Sequence, residues 1–553
     1  MNQKLPLFRK FIRATLTLFL LQFFPFFSAH SQVAPKREVR GVWIATVLNI
    51  DYPGAPSTDE FTLKQQWTEL LNKHKALGIN VLYVQIRCAG DAFYKSKLAP
   101  WSYYLTGKSG LPPANNYDPL PFMIETAHSM GFEFHAWLNP YRMSMDDQEP
   151  SFFDENHVMR QHPEWCIKYG RRYIMNPGLP EVRAHVNAVV EEIVQNYNVD
   201  GIHFDDYFYP YKIAGRPFPD LESFNKYNDG FSNLEDWRRH NIDLLVYGLS
   251  KMIKKIKPRC QFGISPFGVW RNGNVDKEGT DTQAGLTCYD DLYADVRKWL
   301  RDDWIDYVIP QIYWHIGHPK ADHERIARWW SANSAGHPVY IGHGAYRIGE
   351  NKDWSDPGEM GRQIQLSRSL KNVKGSVYFS SKSLISNLLG FADTLKNNYY
   401  QYPALPIQVL VDTSLLECMP PEMREIVAEN GQVRIRWKAS PATPKRMPFQ
   451  YCVYRFENGK VDFTNAKNII ALVPQNAKEL TFVDKNVVNE NAYTYAVTVV
   501  DSQKHETPAE DIYAIGESKA QKDKLPAPPT PSVKKPVEKK RGFWAWLFGC
   551  KKK

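Results

Sequence analysis

The chain has 553 residues, 43% apolar, 14% aromatic and 23% charged, a composition that excludes wholesale disorder and leaves material for two or three folded units. Its formal charge of +9 sits at the ends: residues 1–31 carry +4 and residues 516–553 carry +8, so residues 32–515 hold about −3. A near-neutral folded part removes whole-chain basicity as an argument for nucleic-acid binding.

At the N-terminus, Lys4, Arg9, Lys10 and Arg13 precede an apolar run over 16–27, and Ala29 and Ser31 stand at positions −3 and −1 of a cut before Gln32. This pattern predicts a cleaved export signal over 1–31 and a periplasmic or cell-envelope location. The run is shorter than the ~20 residues that span a bilayer, and no cysteine follows it to carry a lipid. The seven cysteines (88, 166, 260, 288, 418, 452 and 550) are widely spaced, without a paired metal-site spacing. They read mostly as small buried apolar side chains, with one disulfide left open.

Over residues 36–400, apolar and β-branched runs alternate with amphipathic segments. The strand-like runs are 39–46, 79–87, 132–140, 199–207, 260–268, 305–314, 338–346 and 374–381, and helical patterns fill 60–78, 118–131, 179–197 and 233–256. Continuous rather than alternating apolar runs suit parallel strands covered on both faces. Eight such units predict an α/β fold, a (β/α)8 TIM barrel, with the longest insertions after the third strand (143–178) and the fourth (208–232), at the mouth where such barrels place their sites. A doubly wound open sheet is the alternative, but no Gly-rich phosphate loop follows the first strand.

Residues 401–417 read as a linker. From 418 to 515 only strand signals remain, at 431–440, 450–457, 467–473, 479–484 and 492–501, which predicts a small all-β sandwich resembling a fibronectin type III module. Its expected part is packing or polymer contact, not chemistry. Residues 516–553 form a Lys/Pro-rich tail expected to be disordered. The tail ends in GFWAWLFGCKKK, which either frays or makes peripheral contact with an anionic membrane.

The segment VDGIHFDDYFYP (199–210) places Asp205 and Asp206 at a predicted strand end beside Tyr207, Phe208 and Tyr209. Strand alternation sends the two carboxylates to different sides, so at most one is expected to point straight into the mouth from the strand and the other to bend in or orient it; a loop-capping role is the bland alternative. Glycosyl transfer to water needs an acid for the leaving oxygen and a carboxylate that attacks the sugar or activates water. A second acid is therefore sought at other strand ends, where Asp91 and Glu350 occur. Glu350 is the choice for a catalytic acid or base opposite the pair, against a plain surface role. Asp91 fits a substrate site or a partner for Arg87 or Arg142. Arg87, Asn139, Tyr141, Arg142, Tyr207, Gln311, Tyr313, Trp314, His343 and Tyr346 also collect at strand ends, with donors for hydroxyls and flat faces for a sugar ring. Barrel-top packing is the alternative for these, Trp314 above all. His128, His135 and His203 read as structural. No G-x-S-x-G turn, phosphate cradle or H-E-x-x-H spacing is present, and the reading includes no metal and no organic cofactor.

The blocks VRGVWIAT, CAGDAFYKSKLAPWSYYLTGKSG, DPLPFMIETAHSMGFEFHAWLNPYR, HPEW, NPGLPEVRAHV, DGIHFDDYFYP, SPFGVWRN and PQIYW together resemble the glycosyl-hydrolase-like family of bacterial (β/α)8 proteins, over about residues 36–400. That family includes a divisome-associated glycosidase of peptidoglycan strands stripped of their stem peptides. The resemblance implies an exported hydrolase of denuded murein glycan, with the sugar site at the barrel mouth and the polysaccharide as its partner. DGIHFDDYFYP is also similar to the chitinase motif D-G-x-D-x-D-x-E, but His203 replaces the second Asp and Tyr207 the Glu, so a chitinase mechanism does not carry over. A hydrolase of another extracellular glycan and a non-catalytic wall-binding scaffold are the competing readings. Oligomeric state is not legible in the sequence.

Overall fold

The computed structural model describes residues 34–408, 417–443, 446–475, 480–488, 493–509 and 512–514. The predicted export segment, the basic tail with its membrane contact, and Cys550 lie outside the described residues.

Eight parallel strands close into a barrel in chain order: β1 (Val39–Ile44), β2 (Val81–Arg87), β3 (Glu133–Leu138), β4 (Gly201–Phe204), β5 (Gln261–Ile264), β6 (Tyr307–Val308), β7 (Val339–Gly344) and β8 (Val373–Phe379). Each falls within or close to a predicted run, and the first seven are buried along their whole length, as continuous apolar runs require. β6 is short because Pro310 offers no N–H to the ladder; beyond it, Gln311 still bridges to Phe267 and Gly342.

The helices between strands are α1 (Glu60–Ala76), α2 (Pro119–Ser129), α3 (Pro180–Asn196), α4 (Leu234–Ile256), α5 (Val296–Arg301), α6 (His323–Asn333) and α7 (Glu359–Ser369). Their starts follow local chemistry. Asp59 accepts from Thr62 N at 2.8 Å, Asn233 accepts from Glu235 N at 2.8 Å, and prolines open α2 and α3. The loops after β2 (88–118) and β5 (265–295) rival the two insertions expected to be longest.

Within the barrel a hydrogen-bonded column runs from mouth to floor. Trp43 Nε1 donates to His203 Nε2 (3.3 Å), His203 Nδ1 faces Tyr307 OH (3.3 Å), Tyr307 OH faces His135 Nδ1 (2.9 Å), and His135 Nε2 faces Glu133 Oε2 (3.3 Å). One assignment of hydrogens serves all four contacts, with every donor directed toward Glu133. Glycines make room for these rings: a Cβ on Gly201 would stand 2.3 Å from His135 Nδ1, and one on Gly263 would stand 2.0 Å from Tyr307 Cζ. His128, His135 and His203 are thus structural, as read; His128 pairs with Asp200 at 2.7 Å.

The C-terminal region forms two antiparallel sheets. One holds β9 (Glu422–Glu429), β10 (Gln432–Lys438) and β13 (Thr481–Asp484); the other has the order β12 (Ile469–Pro474), β11 (Pro448–Glu457), β14 (Tyr493–Asp501) and β15 (Ile512–Ala514). Val433, Ile435 and Trp437 from the first meet Tyr451, Val453 and Tyr495 from the second in one core, which makes the pair a sandwich. This module sits against the N-terminal ends of the barrel strands. Lys504 Nζ lies 3.2 Å from Glu133 Oε1 and 3.5 Å above the Phe449 ring. Leu405, within the expected linker, pairs with Lys36 and Glu38 and is buried in the module.

Cys88, Cys166, Cys260, Cys288, Cys418 and Cys452 are all free thiols, and all but Cys166 are buried. Among the described residues no helix is long and apolar enough to cross a membrane.

Candidate active site

A cavity of about 500 Å³ opens at the C-terminal ends of the strands. Asp205 and Asp206 both line it, so the second carboxylate comes in beside the first. The reason is local: β4 stops at Phe204, so the two carboxylates follow the loop rather than the pleat.

Asp205 accepts from Trp137 Nε1 at 3.2 Å and from Asn139 Nδ2. The Asn139 amide is turned that way by two donors on its Oδ1, Arg142 Nη2 at 2.7 Å and Gln85 Nε2 at 2.6 Å. Gln85 is held in turn by its own Oε1, which accepts from Thr46 N (3.1 Å) and Val47 N (2.9 Å). Asp206 accepts from Tyr211 OH at 2.5 Å and Gln311 Nε2 at 3.1 Å. Each carboxylate thus has a separate set of donors, drawn from β3 and its loop for Asp205 and from the β4 and β6 loops for Asp206.

Burial, and then the charge of neighbouring Asp206, push the Asp205 carboxyl up to about 7. Burial also raises Asp206, against the opposing donors Tyr211 and Gln311. Two buried like charges side by side cannot both ionise freely. The two carboxyls therefore titrate as a pair, both raised by burial, with Asp205 raised further by the charge beside it.

The walls are aromatic. Tyr207 and Tyr211 stack at 5.3 Å, Tyr313 lies 6.2 Å from Phe379, and Phe267 meets Trp314 edge-on at 5.5 Å. Trp314 is half-buried, packs against the barrel core on one side and lines the cavity on the other. Tyr346, 43% exposed, stands at the rim.

Of the residues singled out in the sequence, Asp205, Asp206, Arg142, Tyr207, Gln311, Tyr313, Trp314 and Tyr346 line the cavity. Asn139 lies behind it as the donor to Asp205 and is a positioning residue. Glu350 is not brought to the pair: it is 45% exposed, outside the lining, and bonded to Arg347 Nη1 at 2.9 Å. The turn over 345–347 directs Tyr346 and Arg347 inward and carries Glu350 past the rim. Asp91 is also outside the lining. It is buried as acceptor for Ala89 N (3.0 Å) and Ser102 Oγ (2.5 Å), and it bonds neither arginine weighed as its partner. Arg87 and Tyr141 are buried in the barrel wall and His343 is bonded to Gln363 and Ser376, so none of these reaches the cavity.

The sequence reading missed Gln85, Trp137, Trp43, Tyr211, Phe267 and Phe379. Gln85 and Trp137 stand two positions before the singled-out Arg87 and Asn139, and Tyr211 stands in the aromatic run after the pair. Among the described residues, no three His, Cys, Asp or Glu side chains converge as a metal set would.

A family model described as glycosyl hydrolase-like 10 matches residues 38–357. The chain belongs to this glycosyl hydrolase family. Within it, the protein is a glycoside hydrolase whose barrel is completed, beyond the matched segment, by β8. Glycosyl hydrolase YngK of Bacillus subtilis (strain 168) is 42% identical over 490 residues, 87% of this chain and 94% of that protein. Glycosyl hydrolase DigH of Escherichia coli (strain K12) is 37% identical over 368 residues, 62% of this chain and 83% of that protein. Among solved structures, the glycoside hydrolase domain of PgaB (BpsB) from Bordetella bronchiseptica is similar with a TM-score of 0.43 and 12% identity, over 66% of this chain and 99% of that one.

Proposed function

We propose that the protein is an exported glycosidase that hydrolyses peptidoglycan glycan strands bare of stem peptides, with Asp205 as the acid and Asp206 as the carboxylate that attacks the sugar or activates water. The observation that carries the assignment is the adjacent pair of buried carboxyls at the cavity, each with its own donors. Asp205, pushed up to about 7 by burial and by the neighbouring carboxylate, suits the group that gives a proton to the leaving oxygen, while Tyr211 and Gln311 oppose the rise that burial causes at Asp206. Aromatic faces and the room for at least one sugar ring favour a carbohydrate substrate. The family resemblance favours murein, and the charged and apolar segments before Gln32 favour export. The C-terminal sandwich, with its likeness to fibronectin type III modules, acts as a barrel support.

The test is incubation of the signal-free chain with purified glycan strands, with and without stem peptides, and identification of the products by mass. Cleavage of the bare strands to products heavier by one water supports the reading. Intact strands, with a different polysaccharide cleaved by the same sample, would overturn the substrate.

A further inference from the structure

A second cavity, of about 430 Å³, adjoins the first and shares Arg142, Tyr207 and Tyr211 with it. Its far side is built by the hairpin Cys166–Tyr169 and Arg172–Met175, which is tied to the segment after β3 through Met143 N to Tyr173 O (2.9 Å) and Met175 N to Tyr141 O (2.8 Å). Tyr169 OH donates to Arg216 O at 2.6 Å and accepts from Ile213 N at 2.9 Å, so the β3 and β4 insertions meet there.

Arg142 is the arginine common to both cavities. It is only 7% exposed, and two of its three nitrogens are used: Nε donates to Cys88 O at 2.8 Å and Nη2 to Asn139 Oδ1 at 2.7 Å. Its Nη1, with two N–H donors, makes no hydrogen bond among the described residues, nor is it sealed from the cavity. The guanidinium is thus fixed in place with one end presented to a ligand, 5.6 Å from the Tyr207 ring. Arg171 and Arg172 also line this cavity, as does Asp146, but they pair with Asp147 and Asp146, so the rim is charge-balanced and Arg142 makes the contact. Tyr207, Tyr211 and Ile174 give apolar faces beside it.

We infer that this second cavity is a subsite for a sugar bearing a free carboxylate, recognised by Arg142 Nη1 next to the carboxylate pair. The inference rests on the glycosidase reading of the adjoining cavity and adds the feature of substrate that this chain selects. A fixed guanidinium nitrogen with free N–H donors makes a charge-assisted hydrogen bond to a carboxylate and gains little from a neutral amide. In peptidoglycan the lactyl carboxylate of muramic acid is capped as an amide by the stem peptide, and removal of the peptide restores the charge. Selection for bare strands then follows from charge at Arg142, without a steric gate.

The experiment compares bare strands with the same strands whose lactyl carboxyls have been coupled to methylamine, a change too small to be excluded by size. The wild-type protein is expected to lose roughly 10- to 100-fold in kcat/KM on the methylamide strands, mainly through KM. In Arg142→Gln the ratio between the two substrates is expected to fall to within about twofold, whatever the absolute rate. In Arg171→Gln/Arg172→Gln, which touches only the rim, a smaller part of the ratio is lost, and this variant serves if Arg142→Gln does not fold. Equal cleavage of both strands by the wild type, or full discrimination retained in Arg142→Gln, would overturn the subsite. A uronic-acid polymer separates the two claims: its cleavage in an Arg142-dependent way, with murein strands intact, keeps the subsite and removes the peptidoglycan substrate. Cleavage of neutral polymers alone removes both.

Discussion

Asp205 at the mouth of the barrel and Glu133 at its floor are both buried carboxyls on neighbouring strands, and their surroundings drive them in opposite directions. Burial raises both. At Asp205 a second carboxylate, Asp206, adds to that and the group reaches about 7. At Glu133 the ammonium of Lys504 and then the ring of His135 outweigh burial and hold the group below the usual range. Depth alone therefore does not set protonation; the sign of the nearest partner does. The floor is an ion pair between module and barrel, whereas the mouth sets two carboxyls side by side with Arg142 as the nearby cation.

The sharpest way to break the contrast is at the mouth. Asp205→Asn is expected to lower kcat by about 10²- to 10⁴-fold, the range of a general acid, measured on bare strands. The same change tests linkage. Because the native Asp205 carboxyl is raised to about 7 while an unfolded one titrates near ~4, the native state binds the extra proton between these values. Its contribution to stability is fully present below pH ~4 and is lost as pH rises through ~7. Asp205→Asn should therefore raise the melting temperature at pH 8 relative to wild type and change it little at pH 4. An equal shift at both values would mean that the group is not raised in the native state.

At the floor the expected change has the opposite sign. Lys504→Met leaves Glu133 buried without its cation and should cost roughly 3–5 kcal/mol in denaturant unfolding. Adding Glu133→Gln should recover most of that loss, because the uncompensated charge is gone. A Lys504→Met protein as stable as wild type would show that the module and barrel are not joined through this pair. The smallest effect belongs to Glu350, whose exposed pair with Arg347 is worth less than about 1 kcal/mol. Glu350→Gln should leave kcat within about twofold, and a larger fall would return Glu350 to the catalytic set.

The barrel was legible because its signals are local: continuous apolar runs mark strands buried on both sides, and Asp59, Asn233 and the prolines at 119 and 180 mark helix starts. β9 was not, because EMREIVAE is an edge strand whose side chains are mostly exposed or half-exposed, so it lacks an apolar stripe. In the site, strand-end position was enough to find Asp205, Asp206, Arg142 and Gln311. It did not bring Asp91 and Glu350 to the cavity, because their placement depends on how loops fold at the barrel rim, nor Arg87, whose side chain is buried in the wall at the end of β2. Alternation alone does not place Asp206, because the strand has already ended at Phe204.

The column through the barrel has a consequence for the order in which the chain can finish folding. Trp43 at its top belongs to the first strand, whereas the Lys504 that completes it belongs to the last part of the sandwich. Synthesis from the N-terminus can close the eight strands long before that lysine exists, and Glu133 must wait uncompensated at the floor until it arrives. Contacts between such distant residues form late and slowly. A truncation that removes the sandwich would then yield an arrested barrel with one open end, and not a smaller version of the same enzyme.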